Sequence, residues 1–435
     1  MPPPEPAPAQ RPSPTRARVA VVGGGPAGMV LGLLLARGGI ETVVLEKHAD
    51  FLRDFRGDTV HASTLALLDE LGLATAFAAL PHRLLDRAEI RLDAGTVRLS
   101  NLGASLPGRH RGIALVPQWD FLEMLATAAE REPAFTLVRS AEAVDLMHDA
   151  GRVAGVRWLD RSSGRPEDSA EPRALEADLV VACDGRWSSV RAAAGLEPRS
   201  YGAPMDVWWF SVPRRDGDPE GGIGRVSRGG FMIMIDRGQY WQCGYVIPKG
   251  ADEELRTSGL AAFRARIASL QPWLADRLGE HPSSMDEVKL LDVRVERLPR
   301  WHEDGLLLIG DAAHPMSPLG GVGINLAIQD AVATARIVGT AMRRAPGPVG
   351  RDVLAEVQRR RLWPTALVQA AQRAGHATVV RGALRGRVGA GSRVPLPLRL
   401  LMRFPVLQRI PARVVGIGPR PEHAPSWARR LEPLR

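Results

Sequence analysis

Cysteine is nearly absent from this sequence. Cys183 and Cys243 are the only two in 435 residues, too few for a disulfide framework or a common zinc site, and Cys183 stands in an apolar run where a small buried thiol is usual. Long hydrophobic runs are missing as well. The longest, residues 29–36, falls far short of the roughly 20 apolar residues that a membrane-crossing helix needs. Residues 1–16 are proline-rich and lack the apolar stretch of a signal peptide, so they read as a disordered leader and the chain as cytoplasmic. Lysine is scarce too, at Lys47, Lys249 and Lys289 alone, which makes the basic charge an arginine charge. The net charge is +9, but residues 341–435 hold nineteen arginines against four acids, leaving residues 1–340 net acidic. Stacking aromatics are sparse in that tail and no nucleic-acid motif accompanies it, so nucleic acid is not an expected partner. A solvated arginine-rich surface, or peripheral contact of the basic C-terminus with a membrane, remains.

What is present is an ordinary globular composition, 45% hydrophobic and 24% charged, on a length that suggests two or three domain-sized units. An apolar run at 18–23 leads through a glycine-rich turn into a helical stretch reaching residue 37, then into a second apolar run at 42–46, which is a β-α-β order. Apolar spacing predicts helices at 61–71 and 118–131, followed by β-rich runs at 141–149, 152–160 and 177–184 that form a hairpin extension. Between 201 and 300 the pattern changes. Aromatic-bearing β-rich runs at 205–212, 230–236, 239–247 and 287–298 surround a helix near 255–269. A strand at 306–309 and a long helix at 323–342 return the chain to its first unit; a helix at 353–372 and an amphipathic, proline-interrupted stretch at 395–411 follow.

Three constellations carry chemistry. In the first, Gly23, Gly25 and Gly28 form a G-x-G-x-x-G pattern, with Pro26 and Ala27 between the last two, directly after a strand and at a helix start. Gly23 permits the tight turn, Gly25 lets backbone approach a pyrophosphate, and Gly28 lets helix and strand pack, while the helix N-terminus offers amides to phosphate oxygens. Glu46, ending the next strand, would accept hydrogen bonds from a ribose, with Lys47 beside it. In the second, Gly310-Asp311 opens a loop dense in glycine and proline, through His314, Pro318, Gly321 and Val322, that runs into a helix at Gly323, Ile324 and Asn325. Such a loop can hold backbone against a flat ligand, and its helix N-terminus would stabilise negative charge there. In the third, a strand ends at Asp184-Gly185 and a helix starts at Ser188 and Ser189, which alone is a common turn and cap.

Taken in order, the three resemble the motifs of the class A flavin monooxygenases, the para-hydroxybenzoate hydroxylase-like family. Gly23, Gly25, Gly28 and Glu46 match the dinucleotide fingerprint; Asp184, Gly185, Ser189 and Arg191 are similar to DGxxSxxR, and Gly310 through Asn325 to GDAAHxxxPxxGxGxN. The resemblance covers about residues 17–345. It implies an α/β fold with a Rossmann-type FAD-binding domain over 17–200 and 301–345, an inserted mainly β substrate domain over 201–300, and a C-terminal helical basic segment over 346–435. It also implies that Arg56 and Gln118 contact FAD, although an exposed structural role for the first and a plain helix-start position for the second stay open. Asp184 would serve both the flavin site and the nicotinamide nucleotide, and His314 would be structural, with a proton carrier as the alternative. No second G-x-G-x-x-G follows a strand, in keeping with a family that binds NADH or NADPH transiently beside the flavin. The implied mechanism reduces FAD with NAD(P)H, adds O₂ to give the C4a-hydroperoxide, and passes one oxygen to the substrate. The flavin carries the chemistry, so no catalytic acid–base residue is assigned.

The aromatic and methionine residues of 205–241 suit a bulky, apolar, aromatic or polycyclic small molecule. Trp208, Trp209, Phe210, Phe231, Met232, Met234, Tyr240 and Trp241 alternate, so half of them can face a cavity and half the core. Trp209, Phe231, Met232, Met234 and Trp241, with Pro318 from the loop, are the candidate substrate contacts; Arg225 and Arg228 could pair with an acidic or phenolate group. Rival readings are a flavin-dependent reductase of prenyl or lipid-like substrates, a flavin-dependent halogenase, and a non-catalytic flavin-binding protein. The stretch 240–248 is faintly similar to the WxWxIP of halogenases but lacks its second tryptophan.

Overall fold

The structure is a computed structural model that describes residues 14–52, 59–93, 95–162, 171–219, 221–227, 230–384, 400 and 403–430. Strands Arg16–Val22, Thr42–Leu45, Arg173–Ala182 and Leu306–Leu308 are apolar and buried towards their carboxyl ends. That is the pattern of a parallel sheet covered on both faces. In space they run 306–308, 173–182, 16–22 and 42–45, then Phe135–Val138, all parallel. His302–Glu303 adds an antiparallel edge, and the hairpin Ala141–Asp149 with Arg152–Asp160 pairs onto the opening residues of Arg173–Ala182.

One face of this sheet is covered by the helices Pro26–Arg37, Gln118–Ala129 and Gly323–Thr334, which share one apolar core with Val19, Val21, Leu179 and Leu307. The opposite face packs on Ala143, Val156 and Trp158 of the hairpin and on Trp301. Pro26–Arg37 is buried over nearly its whole length, so it is apolar all round rather than amphipathic. The helix expected at 323–342 does form, but passes through a π turn at Ala335–Gly339 before Thr340–Arg344.

A second sheet has seven strands, in the order Lys289–Leu291, Met205–Pro213, Tyr240–Pro248, Gly230–Asp236, Gly222–Ser227, Arg87–Leu92 and Gly95–Asn101. Its last two members fall in the stretch that the sequence assigned wholly to the first domain. They join through a parallel pairing of Arg87–Leu92 with Gly222–Ser227. The β run expected at 287–298 shrinks to Lys289–Leu291 and Glu296–Arg297. Between them the Asp206 carboxylate accepts the Val293 amide at 2.9 Å, taking a donor that a ladder would have used. The helix near 255–269 is two helices, Asp252–Thr257 and Gly259–Leu270.

Alternation along these strands separates two sets of large side chains. Trp208, Phe210, Met232, Met234 and Trp241 pack with Phe263 and Ile267 of the Gly259–Leu270 helix, whereas Trp209, Phe231 and Val246 face the other way, towards Val293, Val380 and Ala383. The C-terminal helix Arg351–Gly375 continues through a π turn, His376–Val380, into Arg381–Leu384. Of the stretch 395–411, residues 395–399, 401 and 402 lie outside the described residues; the rest leads into the helix Arg409–Gly416. Among the described residues no helix is long and apolar enough to cross a membrane.

A buried ionic network welds the C-terminal helix to the sheet. Arg361 and Asp330 are both fully buried and lie 2.9 Å apart; Arg361 also reaches Glu422 at 3.2 Å, and Asp330 meets His314 at 2.5 Å. Burial alone would raise the Asp330 carboxyl, but His314 and Arg361 overcome that and hold it below its ordinary 3.8. Its contribution to stability is therefore complete above that pH and fades as the pH falls through the depressed folded value. Arg361→Ala removes the fully buried guanidinium that bridges two buried carboxylates, leaving Asp330 with His314 and Glu422 with Arg336 and Arg360. It is expected to destabilise the fold by about 3–5 kcal/mol at pH 7, read as a lower urea midpoint. The gap from wild type should narrow in acid, and equal midpoints at pH 7 would refute the assignment.

Candidate active site

The first glycine turn is built by close approach. Gly23 has φ +102° and donates its amide to Leu45 at 2.8 Å; a Cβ there would sit 2.5 Å from the Cys183 carbonyl oxygen. A Cβ on Gly28 would lie 1.9 Å from the Gly23 carbonyl oxygen, so helix and strand touch through bare backbone. Gly25 differs from both, because a Cβ there would meet nothing within 4 Å. Gly25 therefore borders open space, at the start of a helix whose first turn carries no acid. The amides of Ala27 and Gly28 lie in that first turn, which has no intrahelical acceptors for them, and Pro26 has no amide to satisfy. The Glu46 carboxylate is buried and accepts the Gly24 amide at 2.8 Å and the His48 amide at 3.0 Å. Lys47 is exposed, Gln118 is half-buried at the first position of its helix, and Arg56 lies outside the described residues.

The other two motifs stand beside this turn. Asp184 follows the strand next to Arg16–Val22; its Oδ2 accepts the Val190 amide at 3.2 Å and the Ser189 hydroxyl at 3.4 Å, while its Oδ1 is buried and has no partner among the described residues. Burial pushes this carboxyl above its usual value, against hydrogen bonds from Ser188, Val190 and Ser189. Arg191 donates to the carbonyls of Ala312 at 2.9 Å and Arg186 at 2.8 Å, tying the Asp184 turn to the Gly310 loop. Asp311 keeps 31% of its side chain exposed and has Arg186 3.5 Å away. Gly310 donates its amide to Asp330 at 3.2 Å, which pins the loop's entry.

The loop's exit is pinned by its neighbours. Gly321 has φ +61°, a region that disfavours a side chain, and its carbonyl accepts the Thr59 hydroxyl at 2.8 Å. Asn325 is spent internally: its Oδ1 accepts from the His61 amide at 2.9 Å and the Thr64 hydroxyl at 2.7 Å, and its Nδ2 donates to Thr59 at 3.0 Å. The Asn325 side chain thus braces the loop against residues 59–64. Burial lowers the adjacent His61 to about 4, so it is neutral at pH 7. Val322 is buried, while Pro318, Gly323 and Ile324 are half-buried.

The candidate substrate contacts divide. Trp209 and Phe231 lie on the sheet face turned away from the Gly259–Leu270 helix; Met232, Met234 and Trp241 are fully buried against that helix. Strict alternation in the strand decides this, since Phe231 and Met232 are neighbours and must part. Arg225 is paired with Asp93 at 2.6 Å, and Arg228 lies outside the described residues. Sequence reasoning missed Asp330, Arg361, Gln369, Gln372 and His376, which support the loop. Their one visible signal was Asp330, the single charged residue in the helix Gly323–Thr334.

A glycine turn opening a helix, an acid ending the adjacent strand and a Gly-Asp loop after a third strand define a Rossmann-type flavin nucleotide-binding protein. The residues fit FAD on this chain's own geometry: space before Gly25, free helix-start amides, the unpartnered Asp184 Oδ1 and the accessible Asp311 carboxylate. Residues 16–370 match the family described as FAD binding domain, and the chain belongs to that family, the class A flavin monooxygenases. It is an FAD-dependent monooxygenase, working with NAD(P)H and O₂. It is 31% identical over 404 residues, 91% of each chain, to 6-methylpretetramide 4-monooxygenase of Streptomyces rimosus. Pseudomonas aeruginosa PqsL in complex with 2-aminobenzoylacetate shares the fold, with TM-score 0.70 and 20% identity over 85% of this chain and 99% of that one. The flavin-dependent brominase Bmp2 does so equally, with TM-score 0.72 and 15% identity over 92% and 94%, so fold alone does not separate oxygenase from halogenase. Gly25→Val should abolish yellow holoprotein by filling the open space before the helix. Stoichiometric flavin co-purifying with the folded variant would refute this.

Proposed function

We propose that this monooxygenase oxygenates a bulky, polycyclic aromatic substrate of the polyketide kind in the cytoplasm. The observation that carries the reading is the 31% identity, across 91% of both chains, to an enzyme whose name places its substrate in that class. The apolar face of Trp209 and Phe231 supports it. In this reading Gly23, Gly25, Pro26, Ala27, Gly28 and Glu46 hold the adenosine and pyrophosphate end of FAD. Lys47, Arg56, Gln118 and Asp184 border it, and Gly310, Asp311, Pro318, Gly321, Val322, Gly323 and Ile324 lie along its ring end. Bound FAD supplies the electron transfer from NAD(P)H and the activation of O₂. The chain's own work is to bind, orient and exclude water. The amides at Gly323 and Ile324 stabilise negative charge beside the ring, Asp311 accepts from hydroxyl groups, and the buried loop 312–317 keeps solvent away.

The exposed Phe404, Val406 and Ile410, set among exposed Arg403, Arg409 and Arg413, support a peripheral role for the basic C-terminal segment at an anionic membrane surface. The substrate reading is tested with a panel of hydroxylated anthraquinones and naphthacenes under ¹⁸O₂. Ligand-stimulated NAD(P)H oxidation with a mass gain of one labelled oxygen is expected. Gain of two hydrogens would mean a reductase, and incorporation of added halide a halogenase; either overturns the proposal.

A further inference from the structure

One of the imidazoles that support the loop has a ring nitrogen left over. His376 is 3% exposed, at the start of the π turn that ends the C-terminal helix. Its Nε2 lies 2.8 Å from the Ser317 hydroxyl, on the loop that follows Gly310-Asp311. Its Nδ1 is buried and has no partner among the described residues. One turn on, Val380 packs with Trp209, Phe231 and Val246 on the face of the second sheet turned away from the Gly259–Leu270 helix. The imidazole therefore stands at the seam between the flavin loop and the sheet face proposed to meet substrate. Trp209 presents a second unsatisfied polar atom on that face, its buried Nε1–H. Buried polar atoms without partners are rare in native folds, and a ligand that carries oxygen would satisfy both the ring nitrogen and the N–H donor.

The surroundings fix how His376 is held. Gln372 donates to the carbonyls of Ser317 at 2.8 Å and Leu319 at 2.9 Å, and Gln369 to those of Glu296 at 2.7 Å and Pro315 at 3.2 Å. Spaced three and four residues apart on one helix, Gln369, Gln372 and His376 form a polar stripe that grips residues 315–319. The Ser317 hydroxyl accepts the Leu319 amide at 3.2 Å, and in the tautomer protonated at Nε2 its second lone pair accepts His376 Nε2–H. That tautomer leaves Nδ1 with a free lone pair. A π turn inside a helix is itself a frequent mark of a functional position.

We propose that His376 is a catalytic base of this enzyme, taking the proton of a substrate hydroxyl on Nδ1 while Ser317 holds Nε2 and Trp209 Nε1–H donates to a neighbouring oxygen. The inference rests on the hydroxyaromatic reading above. In the step, the substrate O–H bond breaks and an Nδ1–H bond forms. The freed electron pair stays on oxygen and enriches the ring carbons ortho and para to it, where the oxygen atom is delivered. The ring carbon that gains oxygen loses its hydrogen as a proton to water, which restores the aromatic ring, and the imidazolium returns its proton to the substrate oxygen. Burial and the charge of Arg381 on the same helix lower His376 from the usual 6.5, so the base is free at pH 7 and is lost only in acid. On the loop its polar partner is Ser317, and the charged group that bears on it is Arg381.

The test uses the FAD-loaded enzyme with alizarin, a dihydroxyanthraquinone whose visible band reports ionisation of its hydroxyl groups. Wild type is expected to bind it ionised well below the pH at which the free dye ionises. His376→Gln, which can still bond Ser317 but takes no proton, should bind the dye un-ionised at pH 7 with full flavin content, and oxygenate panel substrates on the order of 10²-fold more slowly. Ser317→Ala keeps the base but should shift the ionisation midpoint of the bound dye, which covers the case of a misfolded His376 variant. Equal ionisation in wild type and His376→Gln, or an unmoved midpoint in Ser317→Ala, overturns the role of His376 and leaves the substrate class standing. Failure of wild type to bind alizarin or any panel member overturns the substrate class, and this inference with it.

Discussion

The carboxyl ends of four parallel strands stand at one level, because Val22 pairs with both Ala182 and Leu45, and Ala182 in turn with Leu308. Everything at the site depends on that register. It sets the Gly23 turn, Glu46, Asp184 and Gly310 side by side although they come from distant parts of the chain. It also confines the first turn so tightly that only hydrogen atoms fit at positions 23 and 28. A slip of one residue in any pair would turn the strand's side chains to the opposite face and move its motif off the common edge. The apolar layers on both faces make such a slip costly.

Above that edge the chain relies on buried charge. Asp330 reaches the Gly310 amide, His314 and Arg361 at once, so a single carboxylate joins the ligand loop to the C-terminal helix. Such a group is expensive to bury and useful only if fully matched, which makes the loop's position dependent on residues far along the chain. The loop is rigid for the same reason that it is glycine-rich. Gly310 and Gly321 are hemmed in by Ala327 and Thr59, and Asn325 brings residues 59–64 against it. A flat cofactor packed there meets backbone held in place before it binds.

The second sheet parts its large side chains between two faces by the pleat. One face is core, with Met232, Met234 and Trp241 sealed under a helix; the other is shared with residues 380–383 of the C-terminal segment. The arginine-rich tail is thus more than a charged surface. Arg336, Arg360 and Arg361 all engage Glu422, with the Asp330 network beside them, and the same helix carries the glutamines that hold residues 315–319.

Local chemistry is readable along a chain when neighbours in sequence do the work. The strand–glycine turn–helix of residues 16–37, the helix at Ala62–Glu70 and the strand runs of 205–248 follow from glycine placement and from periods that adjacent residues enforce. The same holds for the order of the three motifs, and hence for the flavin-binding family. Only the tertiary structure decided which aromatic residues face outward, that Arg87–Asn101 joins the second sheet, and that Asn325 and Asp330 serve the loop from within. The reason is physical. Alternation states that two faces exist but not which one a helix will cover, a polar hairpin has no local sign of the strand it will pair with, and a buried carboxylate's partners lie dozens of residues away, where spacing along the chain carries no information.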